Sequence, residues 1–162
     1  MKGNDEIINV LNEVLTSELT AINQYFIHSK MCEDWGLQKL AVKKKEESIE
    51  EMKHADLIIA RILFLDGVPN MQQYFPVKVG EDAIEQHRVD LEVEYDAVKR
   101  LNAGIALCAV KGDNGSRDLL QMILQQEEEG IDWLEAQLNL VEMIGKERYL
   151  TEQMGAGAGA GA

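Results

Sequence analysis

Both prolines of this 162-residue chain, Pro69 and Pro76, fall in one stretch, DGVPNMQQYFPVKVGED, and that placement limits the fold more than any other feature. Proline lacks a backbone donor and clashes inside a helix, so this stretch is a long connection and the chain on either side is free to be helical. Gly36 punctuates the first half, and the KGDNGS cluster from Lys111 to Ser116 punctuates the second. Four segments remain, roughly Asp5–Asp34, Leu37–Leu65, Asp82–Val110 and Ser116–Ile144. Each corresponds to about 30 residues, or ~45 Å of helix. Ser116 or Asp113 is the expected cap of the fourth and Gly145 its stop. A short helix is expected from Lys146 to Gln153. The Gly-Ala repeat that ends the chain is of low complexity and is expected to be unstructured. This leaves one domain over residues 1–153 and a tail over 154–162.

Two short turns joined by one long link predict an all-α fold, the ferritin-like four-helix bundle, with its crossover between helices two and three and a short fifth helix at the end. The net charge of -13 argues against nucleic acid and anionic membrane as partners and favours cations. No apolar run approaches the ~20 residues of a membrane span. The amino terminus, MKGNDEIINV, carries charges where a secretory signal has an unbroken apolar core. No membrane association is expected, and the expected location is cytoplasmic. Cys32 and Cys108 are too few and too far apart for a disulfide framework and are expected as reduced, buried thiols.

The inward stripes carry charge. On helix three, Ile84, His87, Leu91, Glu94, Val98, Leu101, Ile105 and Cys108 alternate three and four apart, the pattern of a bundle core with Glu94 in its middle. Helix one places Glu18 among Leu11, Leu15 and Ile22. Helix two aims Lys44, Glu47, Glu51 and His54 inward between Leu40 and Ile58, and helix four places Glu127 after Leu120 and Ile123. In an antiparallel hairpin, residues equally far from the turn lie at one level. The midpoint of Glu18 and Glu51, at 34.5, falls beside the Trp35–Gly36 turn, and that of Glu94 and Glu127, at 110.5, beside the Lys111–Gly112 turn. Each pair is separated by 33 residues. Four carboxylates therefore meet near the middle of the bundle.

Four ionised carboxylates cannot be buried together unpaired, and a divalent metal resolves the conflict. His54, three residues after Glu51, shares its face and offers nitrogen. Di-iron carboxylate bundles use one Glu from each of two helices and Glu-x-x-His from each of the other two. Glu18 and Glu94 fill the first role and Glu51 with His54 the second. The fourth element has Glu127, but residue 130 is glycine. Glu129, two residues on, is about 200° round the helix at 100° per residue and is expected to face away.

The stretches MKGN, AINQYFIHSKM, EDWGL, ESIEEMKHAD, RILFLDGVPN, GED, SRDLL and IDWLEAQLNLVEMIG resemble those of the bacterioferritins in order and spacing, from Met1 to about Gln153. The resemblance implies a shell of 24 subunits that oxidises Fe(II) with oxygen or peroxide at a di-iron centre and stores Fe(III) mineral inside. It implies di-iron ligands at Glu18, Glu51, His54, Glu94 and Glu127, and b-type haem at a two-fold interface held by Met52 of each partner. It also implies a ferredoxin-type reductant for the haem. Relatives usually carry histidine at the position of Gly130, so the iron beside Glu94 loses its only nitrogen, and weaker binding and slower oxidation are expected there. A second reading follows: a haem-bearing shell subunit with an impaired centre, assembling with a catalytically complete bacterioferritin subunit.

Other residues have plainer readings. Met52 lies about 100° round from Glu51, with Ile49 and Ile59 outside the inward stripe, so the residues alone predict a buried contact with another subunit. His28 and His87 are expected to be structural or exposed, and the KKKEE run to form a solvated face. Tyr25, Trp35 and Trp133 are core or interface aromatics; the resemblance adds electron donation for such aromatics near the centre. Asp34, Asp66, Asp132 and Asn139 resemble residues lining an inter-subunit iron pore. Glu46 and Glu50 stand where relatives often have histidine and aspartate serving an inner-surface iron site.

Overall fold

The computed structural model describes residues 1–155; apart from Met154 and Gly155, the expected tail lies outside them. Among the described residues the chain forms five helices: α1 (Asp5–Asp34), α2 (Gln38–Phe64), α3 (Ala83–Lys111), α4 (Asn114–Ile144) and α5 (Lys146–Glu152). Asn4 caps α1, its side-chain oxygen accepting from the backbone N–H of Glu6 and Ile7. Asp82 caps α3 through the N–H of Glu85, and Asp113 caps α4 through the N–H of Ser116. Of the two residues expected to cap helix four, Asp113 does so, and Ser116 is the residue it holds. The α3–α4 turn passes through Gly112 at φ 75°, the left-handed region that glycine enters without a Cβ penalty.

α1 with α2 and α3 with α4 form antiparallel hairpins, and the segment between α2 and α3 is the long connection that its prolines predict. One polar row on α1 ties that connection down. Asn12 donates to the carbonyl of Val68 and accepts from the N–H of Asn70. Thr20 accepts from Phe75 N–H, Gln24 from Lys78 N–H and His28 from Gly80 N–H. These residues lie four or eight apart, on one helix face. The crossover is thus stitched along α1 in the direction α1 runs, and it delivers α3 to the far end of α1.

The apolar core is in two parts. One gathers Ile7, Leu11, Leu15, Ile58, Ile62, Leu101, Leu120 and Ile123; the other, toward α5, gathers Cys32, Leu37, Leu40, Ala83, Ile84 and Tyr149. Polar layers separate them. Both cysteines are buried and free.

Candidate metal centre

The glutamates that the stripes bring to mid-bundle are all buried. Glu18, Glu51, Glu94 and Glu127 are at most 3% exposed, as is His54. Glu18, Glu51, His54 and Glu127 each present one donor atom within 4.8 Å of the others. His54 Nδ1 is at the centre of this group, 3.3 Å from Glu18 Oε2, 3.4 Å from Glu51 Oε2 and 3.0 Å from Glu127 Oε1. Its other ring nitrogen, Nε2, donates to Gln126 Oε1. With Nε2 so engaged, Nδ1 is turned toward the carboxylates, the orientation a partner on the outer nitrogen gives a metal-binding imidazole.

Glu94 stands apart from the four. Its Oε1 accepts the Tyr25 hydroxyl at 2.5 Å, while its Oε2, like Glu18 Oε1, has no hydrogen-bond partner among the described residues. Buried acceptors without partners cost about 1–3 kcal/mol each, so a native site that holds several calls for something to fill it.

The electrostatics agree. Burial, and then the charge of Glu127, raise Glu18 and hold Glu94 well above the usual carboxylate range. Burial and Glu18 do the same to Glu51, and burial and Glu51 raise Glu127. Burial alone lowers an imidazole, but the hydrogen bonds and charges of Glu127, Glu18 and Glu51 overcome it and raise His54. Tyr25 is pushed well above its usual range by burial and then by Glu94. Too much negative charge for one imidazole is a demand for a cation, and oxygen donors with one imidazole suit iron.

At Gly130 the structure has open space. Among the described residues a Cβ there would meet only the Glu94 carboxyl carbon, at 3.9 Å. The space joins a pocket of about 230 Å³ that reaches Glu51, His54, Glu94 and Glu127 and is rimmed by Lys43, Glu47, Glu50 and Glu129. Glu129 is exposed, as its helical phase predicts, and reaches only the rim.

A second buried polar layer lies toward α5. Lys44 is fully buried, and its Nζ donates to Asp90 Oδ2 at 2.7 Å and to His87 Nδ1 at 3.3 Å. Asp90 Oδ1 accepts from Gln24 at 2.9 Å and from His28 Nδ1 at 2.8 Å. His87 Nε2 donates to the Tyr149 hydroxyl, which donates to Gln137 and so docks α5. Lys44 faces inward, as the stripe of helix two predicts, and its neighbour Lys45 outward, so the lysine run forms a solvated face only in part. Of the two expectations for His28 and His87, the structural one holds, since both are buried.

The remaining residues are dispersed. Met52 is 56% exposed on α2, with Ile49 one turn before it also exposed, which leaves an apolar face open beside the bundle. Asp34, Asp66, Asp132 and Asn139 are all exposed. Glu50 lines the pocket at Gly130 and pairs with Lys53, whereas Glu46 lines a different groove with Phe26 and Ile49. Trp35 is exposed, and Trp133 packs edge-on against His87 under the ammonium of Lys43. Gln126 and Asp90 were not anticipated from the sequence. A buried histidine needs a partner for its outer nitrogen, but that need does not say which residue supplies it.

Residues 8–144 match the model of the ferritin-like domain family. The chain is 50% identical over 149 residues to the bacterioferritin of Mycobacterium leprae, covering 92% of this chain and 94% of that protein. It is 49% identical to a bacterioferritin of Mycobacterium tuberculosis over the same shares. With the bacterioferritin of Streptomyces coelicolor it shares 47% over 151 residues, 93% of this chain and 90% of that one. No helix among the described residues is long and apolar enough to cross a membrane.

Proposed function

Because the chain belongs to the ferritin-like family and within it to the bacterioferritins, we propose that it stores iron and that Fe(II) is its substrate at Glu18, Glu51, His54, Glu94 and Glu127. The observation that carries this reading is the buried group of three carboxylates round one imidazole, with the buried Glu94 beside it and acceptor atoms left unpartnered among the described residues. Glu18 and His54 serve one iron, Glu94 the other, and Glu51 and Glu127 lie between. Gln126 holds the His54 ring with Nδ1 inward. Two Fe(II) ions each lose one electron; dioxygen takes both with two protons and leaves as hydrogen peroxide, or peroxide takes them with two protons and leaves as two waters. Fe(III) then passes to the cavity of a 24-subunit shell in the cytoplasm.

The exposed Met52 on an apolar face supports a subunit contact and fits a thioether ligand to haem b shared by two subunits. When bound, the haem supplies electron transfer, fed by a ferredoxin-type reductant. Residues 1–153 act as the single folded unit.

Gly130 favours a second reading, in which this chain contributes shell and haem while a complete subunit type performs most of the oxidation. Stopped-flow Fe(II) oxidation on the pure single-subunit protein separates the two. A fast phase saturating near two irons per subunit supports the oxidase reading. A slow phase that Gly130→His restores supports the mixed shell, and a slow phase that Gly130→His leaves unchanged sinks the assignment of these residues.

A further inference from the structure

We propose that the space at Gly130 is an open coordination position beside Glu94, which takes a small uncharged nitrogen donor of imidazole type from solution. The proposal rests on the metal-centre reading above and adds to it the chemistry of an external ligand.

Three observations carry it. Gly130 lies within the unbroken helix α4 and is not among the positive-φ glycines, so its backbone is one that any side chain could share. The direction a side chain would take there leads to Glu94 and meets nothing nearer than its carboxyl carbon at 3.9 Å. Glu94 Oε2, in a residue 1% exposed, has no hydrogen-bond partner among the described residues. A metal held by that oxygen would meet no side chain of residue 130 on that side. The pocket of about 230 Å³ is several times the ~30 Å³ share of one water, so it has room for a small ring.

The chain's own candidates are engaged elsewhere. Gln126 is bound to His54. Lys43 is held by Glu47 at 2.7 Å and lies over the Trp133 ring. Glu129 stays at the exposed rim. Rim charge sets the ligand class: Glu47, Glu50 and Glu129 outnumber Lys43 and repel anions. The other metal position already has its nitrogen from His54, whereas the Glu94 position has only oxygen, so an imidazole-type donor is what it lacks.

Cobalt(II), a redox-stable probe with visible absorption, tests this in the assembled, iron-free protein. Without imidazole, one Co(II) per subunit is expected to bind tightly and a second weakly. Imidazole should tighten the second about tenfold or more, saturably, with a change in the visible spectrum. Gly130→Ala leaves the space open and should respond in the same way. Gly130→Leu fills the space and should keep the first Co(II) but lose the response, and Gly130→His should bind two Co(II) with no need of imidazole. An indifferent second Co(II), or an equal response in Gly130→Leu, overturns the proposal and leaves the centre standing. Failure of the first Co(II) to bind overturns the metal-centre reading and this proposal with it.

Discussion

The bundle buries two polar layers side by side, and they are built on opposite principles. In the layer toward α5 one ammonium faces one carboxylate, and every donor and acceptor named in it has a partner: Lys44 with Asp90 and His87, Asp90 with Gln24 and His28, His28 with Gly80, and His87 with Tyr149. In the mid-bundle layer three carboxylates crowd one imidazole with Glu94 beside them, and oxygens are left unpartnered among the described residues. The two lie about one helical turn apart, since Asp90 precedes Glu94 by four residues on α3 and Tyr25 precedes His28 by three on α1. Burial of charge is therefore no mark of a functional site by itself. The mark is burial without internal compensation.

The comparison breaks most sharply under single substitutions. Lys44→Met leaves Asp90 as an uncompensated buried charge and should cost about 3–5 kcal/mol of stability. Glu94→Gln removes like-charge repulsion and should leave the metal-free protein as stable or about 1 kcal/mol more stable. It should also weaken the rise in melting temperature that Co(II) gives the parent protein. Denaturation with and without Co(II) reads both effects. If Lys44→Met proved harmless while Glu94→Gln unfolded the metal-free bundle, the assignment of the two layers would be reversed.

The second effect is in pH, where the layers should slope in opposite directions. Burial works to raise Asp90, but Lys44 and His28 overcome it and hold the carboxyl at about 2, below its ordinary 3.8. A carboxyl depressed on folding contributes stability that is complete above the unfolded value. That stability, about 2 kcal/mol here, is lost as pH falls from near 4 toward 2. The glutamates of the other layer are raised on folding. Their contribution in the metal-free protein is complete below an ordinary glutamate value and declines as pH climbs above it. Denaturation of the metal-free protein from pH 2 to 8 should show a dome with both limbs. Lys44→Met should flatten the acid limb and leave the alkaline limb alone.

These contrasts explain what was legible in the sequence. Helix count and limits are readable because proline and glycine punctuate the chain and the stripes repeat at helical spacing. The carboxylate level is readable because two hairpins place Glu18 opposite Glu51 and Glu94 opposite Glu127, which depends only on distance from a turn. The compensated layer is not readable in this way. Lys44 is readable as an inward position on the stripe of helix two, but its partner, on α3 and 46 residues away, is not. Asp90 is one position off the apolar stripe marked by His87, Leu91 and Glu94. Gln126 is legible only as an unmet need of His54. Long-range pairing between helices is set by their rotation about their own axes, which periodicity fixes to within a residue or so and no better.

The smallest effect bears on why glycine stands at residue 130. Glycine in a helix interior costs roughly 1 kcal/mol relative to alanine, through the freedom it loses on folding. A methyl group at Gly130 would be in ordinary contact with Glu94 at 3.9 Å and strain nothing. Gly130→Ala should therefore stabilise the metal-free protein by roughly 0.5–1 kcal/mol, read as a higher denaturation midpoint with an unchanged slope. It should leave the Co(II) stoichiometry unaltered, because alanine brings no donor. A gain in stability without a change in metal binding would show that the fold does not require glycine here, and the reason for it then lies in the open space. A loss of stability would mean that the backbone at residue 130 needs glycine, and the vacancy beside Glu94 would follow from the fold.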